Sequence, residues 1–123
     1  MRKAIKTLSS KKLSDLVILG MQEKKGNDIV SLDLQKIEGA SCDYFIICHG
    51  DSDVQVRAIA DSVEDYVEKE CGQTPRHKEG LALCDWVLID YFDVVVHIFL
   101  KTKREYYGVE DLWGDAKTKH YKI

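Results

Sequence analysis

Trp86-Val-Leu-Ile-Asp-Tyr-Phe-Asp-Val-Val-Val-His-Ile-Phe99 is the stretch whose reading decides the fold. Two runs rich in β-branched and aromatic residues flank a break at Phe92-Asp93, the pattern of a β-hairpin. A loop of two residues (four gives the same parity) sets Tyr91 opposite Val94, Ile89 opposite Val96 and Val87 opposite Ile98. That face is apolar apart from one phenol and belongs in a core. The other face then carries Trp86, Leu88, Asp90, Val95, His97 and Phe99. An indole, a carboxylate and an imidazole on one strand face match the mixture of aromatic anchors and sparse polar groups found at interfaces. Trp86 as a core tryptophan, and His97 as a satisfied sheet histidine, are the competing readings.

Outward from the hairpin, the chain alternates helix and strand signals. Ser9 or Ser10 can cap a helix running to about Lys25, with Leu13, Leu16, Val17 and Gly20 on one stripe and Gly26-Asn27 as its stop. Ile29 to Leu34 alternates as a strand, with Ile29, Ser31 and Asp33 on one side. Tyr44 to Cys48 is continuously apolar, as in a strand covered on both faces. His49-Gly50-Asp51-Ser52-Asp53 offers a turn and three possible caps for a long helix to about Glu70. That helix buries Val56, Ile59, Ala60, Val63 and Val67. Pro75 to Lys78 reads as a short edge strand, because an edge tolerates proline. A last short helix is expected from about Lys103 to Tyr107, and residues 116–123 as a loose basic tail. The order α-β-β-α-β-β-β-α predicts a small α/β domain, a mixed sheet with helices mainly on one face. The other sheet face would carry Trp86 and His97.

At 123 residues there is room for one domain, 1–123, around one core. The net charge of −3, from 18 basic and 21 acidic residues, lacks the overall basic footprint of a nucleic-acid-binding domain. No direct sequence-specific nucleic-acid binding is therefore expected. An acidic domain is suited to a basic protein partner. No apolar run approaches the roughly 20 residues of a membrane helix, and the start has no signal-peptide core. Cys42, Cys48, Cys71 and Cys84 lack metal-ligand spacing and read as reduced thiols of a cytoplasmic protein.

Cys48 beside His49 suggests a nucleophile and base, but adjacent strand residues point to opposite faces. Zinc would need clustered ligands, whereas His49, His77, His97 and His120 are scattered. Gly50-Asp51-Ser52 between a strand and a helix is placed like the start of a nucleotidyltransferase site, where backbone N–H groups hold a phosphate. Such an enzyme also needs paired carboxylates for metal ions. Here Asp51 and Asp53 would repel phosphate, while Asp90 and Asp93 flank the hairpin turn. The simpler reading is that Ser52 or Asp53 caps the helix. No cofactor, metal or catalytic residue is expected. A nucleotide-binding enzyme using Gly50 and Ser52 is the alternative.

Several separate motifs, in order, resemble those of one family. They are Ser41-Cys-Asp-Tyr-Phe-Ile-Ile-Cys-His-Gly-Asp-Ser52, Gln55-Val-Arg-Ala-Ile-Ala-Asp61, Glu79-Gly80, both hairpin strands, Arg104-Glu-Tyr-Tyr107 and Leu112-Trp-Gly-Asp-Ala116. Over about Leu13 to Ala116 the chain resembles the Iojap family, also called ribosomal silencing factors. One departure is Phe92, where the family usually has a glycine that tolerates positive φ. The resemblance implies a nucleotidyltransferase-like fold without known catalysis. It also implies binding to the large ribosomal subunit through its fourteenth protein, which blocks subunit joining and lowers translation when nutrients are short. Organelle relatives are linked to large-subunit assembly.

The expected contact surface is Trp86, Leu88, Asp90, His97 and Tyr107, with Lys78, Glu79, Asp93, Arg104 and Glu105 at its rim. Asp90 and Glu105 would meet basic partner residues, and His97 would hydrogen-bond across the interface. Leu112 and Trp113 would fold back over the core edge. The same aromatic face could instead, or also, make a homodimer.

Overall fold

The computed structural model describes residues 8–122; residues 1–7, which include the chain start read above, and Ile123 lie outside that range. The elements are α1 (Ser10–Glu23), β1 (Asn27–Asp33), β2 (Tyr44–Gly50), α2 (Asp53–Cys71), β3 (His77–Glu79), β4 (Trp86–Asp90), β5 (Val94–Leu100), α3 (Lys101–Tyr107), α4 (Val109–Leu112) and β6 (Lys117–Tyr121). They build one open mixed sheet in the order β3-β4-β5-β2-β1-β6. Only β2 and β5 run parallel; the other neighbours are antiparallel.

Caps define the two long helices. The Ser9 hydroxyl accepts the Lys12 N–H at 3.2 Å, and the Ser52 hydroxyl accepts that of Gln55 at 3.1 Å. Gly72, at φ +74°, closes α2 in the left-handed conformation that glycine adopts without steric cost. The helices meet closely at Gly20, whose carbonyl accepts a 2.8 Å bond from the buried Ser62 hydroxyl. They seal Leu13, Val17, Met21, Val56, Ile59 and Val63 against Ile46, Val87, Ile89, Val96 and Ile98 of the sheet. The opposite sheet face holds a second, smaller core of Val30, Leu32, Leu34, Ile47, Phe99, Val109 and Ala116. Strand β2 is apolar from Tyr44 to Cys48, as suits a strand packed on both faces.

The tail departs from expectation. Residues 117–121 are not loose but form β6, paired antiparallel with β1 from Ile29↔Tyr121 to Asp33↔Lys117. The strand lacked an apolar signature because it lies at the sheet edge with mostly exposed side chains, held by ladder hydrogen bonds. The second sheet face is not left uncovered either. Tyr107, Val109 and Trp113 lie over part of it, which seals Phe99 and His97 beneath them.

The hairpin register is the expected one: Val87↔Ile98, Ile89↔Val96, and a Tyr91 N–H to Val94 carbonyl bond of 2.9 Å. Phe92 takes φ +81° in the turn, a conformation costly for a side chain with a Cβ. The Asp90 carboxylate accepts its N–H at 2.7 Å, and the Arg76 guanidinium lies 4.4 Å above its ring. Replacing Phe92 by glycine or by alanine removes the ring equally, so comparison of the two isolates the backbone. Phe92→Gly should be more stable than Phe92→Ala by about 1 kcal/mol in urea unfolding. Equal stabilities would mean that the turn carries no strain.

Candidate functional site

Residue pairs along β4 and β5 place Trp86, Leu88 and Asp90 on the same face as Phe99, His97 and Val95. The parallel pairing of β2 with β5 sets Phe45 and Ile47 beside Val95 and His97 on that face. The result is a continuous aromatic platform. The Trp86 ring stands 5.0 Å from Phe99 and 4.6 Å from Tyr107, and Phe45 lies 4.6 Å from His97 and 5.7 Å from Trp113. Phe99 is fully sealed, so it is support rather than surface. Trp86, Leu88, Val95, Phe45 and Trp113 are half-buried, and Tyr107 is 43% exposed. Leu112 does not cover the core edge as expected; it is 77% exposed, while Trp113 does fold back.

His97 is the polar centre of the platform. The indole N–H of Trp86 can only donate, and it donates to Nδ1 of His97 at 3.1 Å. The neutral ring must then carry its proton on Nε2, an atom that is buried and finds no acceptor. His97 is only 4% exposed, and burial pushes its pKa down to about 4. The fold therefore keeps this ring neutral, whereas the unfolded chain protonates it near pH 6.5. Stability is complete above that value and falls as pH drops from 6.5 towards 4, by up to about 3 kcal/mol. Burial also lowers the pKa of His49, which adds loss of the same sign. Urea midpoints at pH 7 and pH 5 should differ more for the native chain than for His97→Gln; an unchanged difference would remove His97 as the cause.

The structure gathers only some of the expected residues. Trp86, Leu88 and Tyr107 form one surface, and Glu79, opposite Leu88 in the register, extends it. His97 lies sealed beneath, with Nδ1 taken by Trp86 and Nε2 buried, so it does not offer the expected hydrogen bond across an interface. Lys78 does not belong there. It pairs with Ile89 on the opposite face, where its ammonium reaches Glu64 of α2 at 3.2 Å, because alternation turns each neighbour over. The Asp90 carboxylate is committed internally, to the Phe92 N–H and to Arg76 at 3.1 Å. Arg104 is also internal, with its side chain 11% exposed. It bonds Glu110 at 2.8 Å, His49 Nδ1 at 2.9 Å and the Asn27 carbonyl at 3.3 Å. It thereby fastens α3, and so Tyr107, to the ends of β1 and β2. Asp93 is exposed at the turn, and Glu105 is exposed on α3, lining a cleft with Asp28, His49 and His120.

Phe45, Val95 and Trp113 join the platform although the expected contact residues did not include them. Phe45 carried no local signal, since strand order is not written in alternation. The Gly50-Asp51-Ser52 turn binds its own helix: Ser52 caps α2, and the Gln55 side chain takes the Asp51 N–H at 2.8 Å. Among the described residues no three of His, Cys, Asp and Glu converge to hold a metal ion. Cys48 packs in the helix-side core while His49 faces Arg104, and burial raises the Cys48 thiol to about 12. That is a packing thiol, not an activated nucleophile.

The model of the family described as ribosomal silencing factor during starvation matches residues 3–122. The chain belongs to this family. A ribosomal silencing factor of Bacillus subtilis is 42% identical over 109 residues, 89% of this chain and 91% of that protein. A crystal structure of a Chromobacterium violaceum protein superposes with a TM-score of 0.81 at 39% identity, covering 87% of this chain and 88% of that one. A mouse protein named for mitochondrial assembly of the ribosomal large subunit is 30% identical over 101 residues, 80% of this chain and 44% of its own length. Within a ribosomal silencing factor, the platform has the composition of a protein-docking surface: aromatic anchors, one buried imidazole and few free charges.

Proposed function

We propose that the chain binds the large ribosomal subunit through its fourteenth protein, and by occupying that place keeps the small subunit from joining. Translation then falls when nutrients are short. The observation that carries this reading is the half-open Trp86 platform, an apolar surface with rings held in place by one another. Such pre-organised aromatic patches supply most of the energy of protein interfaces. The chain's charge of −3 adds attraction towards a basic partner. The mechanism is steric and non-catalytic, and it places the protein in the cytoplasm with the ribosomes. Among the described residues no helix is long and apolar enough to cross a membrane.

Sedimentation tests the proposal. Purified protein should travel with large subunits and not with small ones. Its prior addition should reduce the joined ribosomes formed when small subunits follow. Joining at an unchanged rate with protein bound would overturn the steric mechanism. The mouse relative's name favours a second reading, in which the same docking accompanies assembly of the large subunit. Accumulation of immature large subunits in cells lacking the protein would support it. The same platform can close on itself in a homodimer, which solution mass of native and Trp86→Ala protein would show.

A further inference from the structure

Strand β6 ends the sheet, and among the described residues its outer edge pairs with no other strand. Lys117 and Lys119 share its helix-side face two residues apart, a step of roughly 7 Å that neighbouring phosphates of one strand can match. Lys11 of α1 joins them around a cleft of about 150 Å³ that Ser14, Ser31, Tyr44 and Tyr121 also line. The lysine ammonium groups supply both charge and donors to phosphate oxygens. The hydroxyls are taken up within the fold, Ser14 by the Ser10 carbonyl at 2.8 Å, Tyr44 by Gln35 Oε1 at 3.4 Å, and Ser31 and Tyr121 by each other at 3.4 Å. Asp33 also lines the cleft, and Asp15 pairs with Lys11 at 2.7 Å, so Lys117 and Lys119 supply the charge. Helix α1 opens with Lys11 and Lys12 and no acid in its first turn, although its dipole favours acids there. Lysines on an edge strand also block pairing with other sheets, yet that role does not require a lysine from α1 beside them. On α2, Glu64 lies towards β3, where it pairs with Lys78, whereas Glu70 stands beside Lys12 and Asp15 of α1.

We propose that the β6 edge, with the start of α1, is a contact surface for an RNA phosphate backbone. The surface is roughly 19 Å, four strand spacings, from β4 and its Trp86 platform. The choice of RNA among polyanions rests on the ribosomal reading above. The contact reads no sequence: two lysines hold phosphates and leave base edges untouched. It would give the chain a second point of attachment, independent of the aromatic one.

Anisotropy of a labelled 20-base-pair RNA duplex, titrated with the protein at KCl from about 50 to 200 mM, tests this. The native chain should bind with an affinity that falls steeply with salt. Lys117→Gln with Lys119→Gln should flatten the slope of log K against log salt by about 1.8 and weaken binding about tenfold at the lowest salt. Arginine at both positions should retain binding, which separates charge from folding. No salt-dependent binding, or a glutamine variant that binds as the native chain does, would overturn the proposal. Displacement of the duplex by polyglutamate at equal charge would also overturn it, in favour of an acidic protein. The probe contains no protein, so its failure leaves the docking reading standing, and failed docking leaves this one standing.

Discussion

Trp86→Ala should weaken association with large subunits by about 2–4 kcal/mol, roughly 30- to 700-fold in Kd. The size follows from three losses at one position. The half-buried indole is itself apolar contact area. It also supports Tyr107, whose ring lies 4.6 Å away at the end of a short helix with no buried residue of its own. Its N–H occupies Nδ1 of His97, so alanine leaves a second unsatisfied atom on a ring that already has one. The last loss falls on the free protein as well, so thermal unfolding must accompany the sedimentation. Trp86→Phe keeps a ring against Phe99 and Tyr107 but loses the N–H; its affinity should lie between those of the native and alanine forms. A folded Trp86→Ala chain that sediments with large subunits as the native chain does would remove the platform from the interface.

The largest stability loss is expected from Gly80→Ala, at about 3 kcal/mol or more. Gly80 takes φ +86°, and a Cβ built there would stand 1.9 Å from the Trp86 carbonyl oxygen. The obstacle is the backbone of Trp86 and Val87, not a flexible side chain, so β3 or the start of β4 must move. Gly39 provides the control. It takes nearly the same φ, +85°, but a Cβ there meets nothing within 4 Å. Gly39→Ala should therefore cost only the left-handed strain, about 1 kcal/mol. The difference between the two, read from urea unfolding, measures the close approach. Because β4 begins at Trp86, Gly80→Ala should also weaken docking, whereas Gly39→Ala should not. Equal costs at the two glycines would show that the contact relaxes freely.

The alternation in Trp86 to Phe99 determined the hairpin, its register and which side chains share a face, because strand geometry leaves only two faces to choose between. The Ser9 and Ser52 caps, the Gly72 stop and the stripe through Val56, Ile59 and Val63 determined the long helices for similarly local reasons. The family was legible too, in motifs spread over most of the chain. What the sequence could not settle depended on distant partners. Ladder hydrogen bonds, not side-chain pattern, recruit the lysine-rich segment 117–121 as β6. Strand order decides that Phe45 stands beside His97. Register sends Lys78 to the helix side, and tertiary placement turns Asp90 and Arg104 into internal fasteners. An exposed charge and a charge holding the fold together have the same local sequence; only the position of the opposite charge tells them apart.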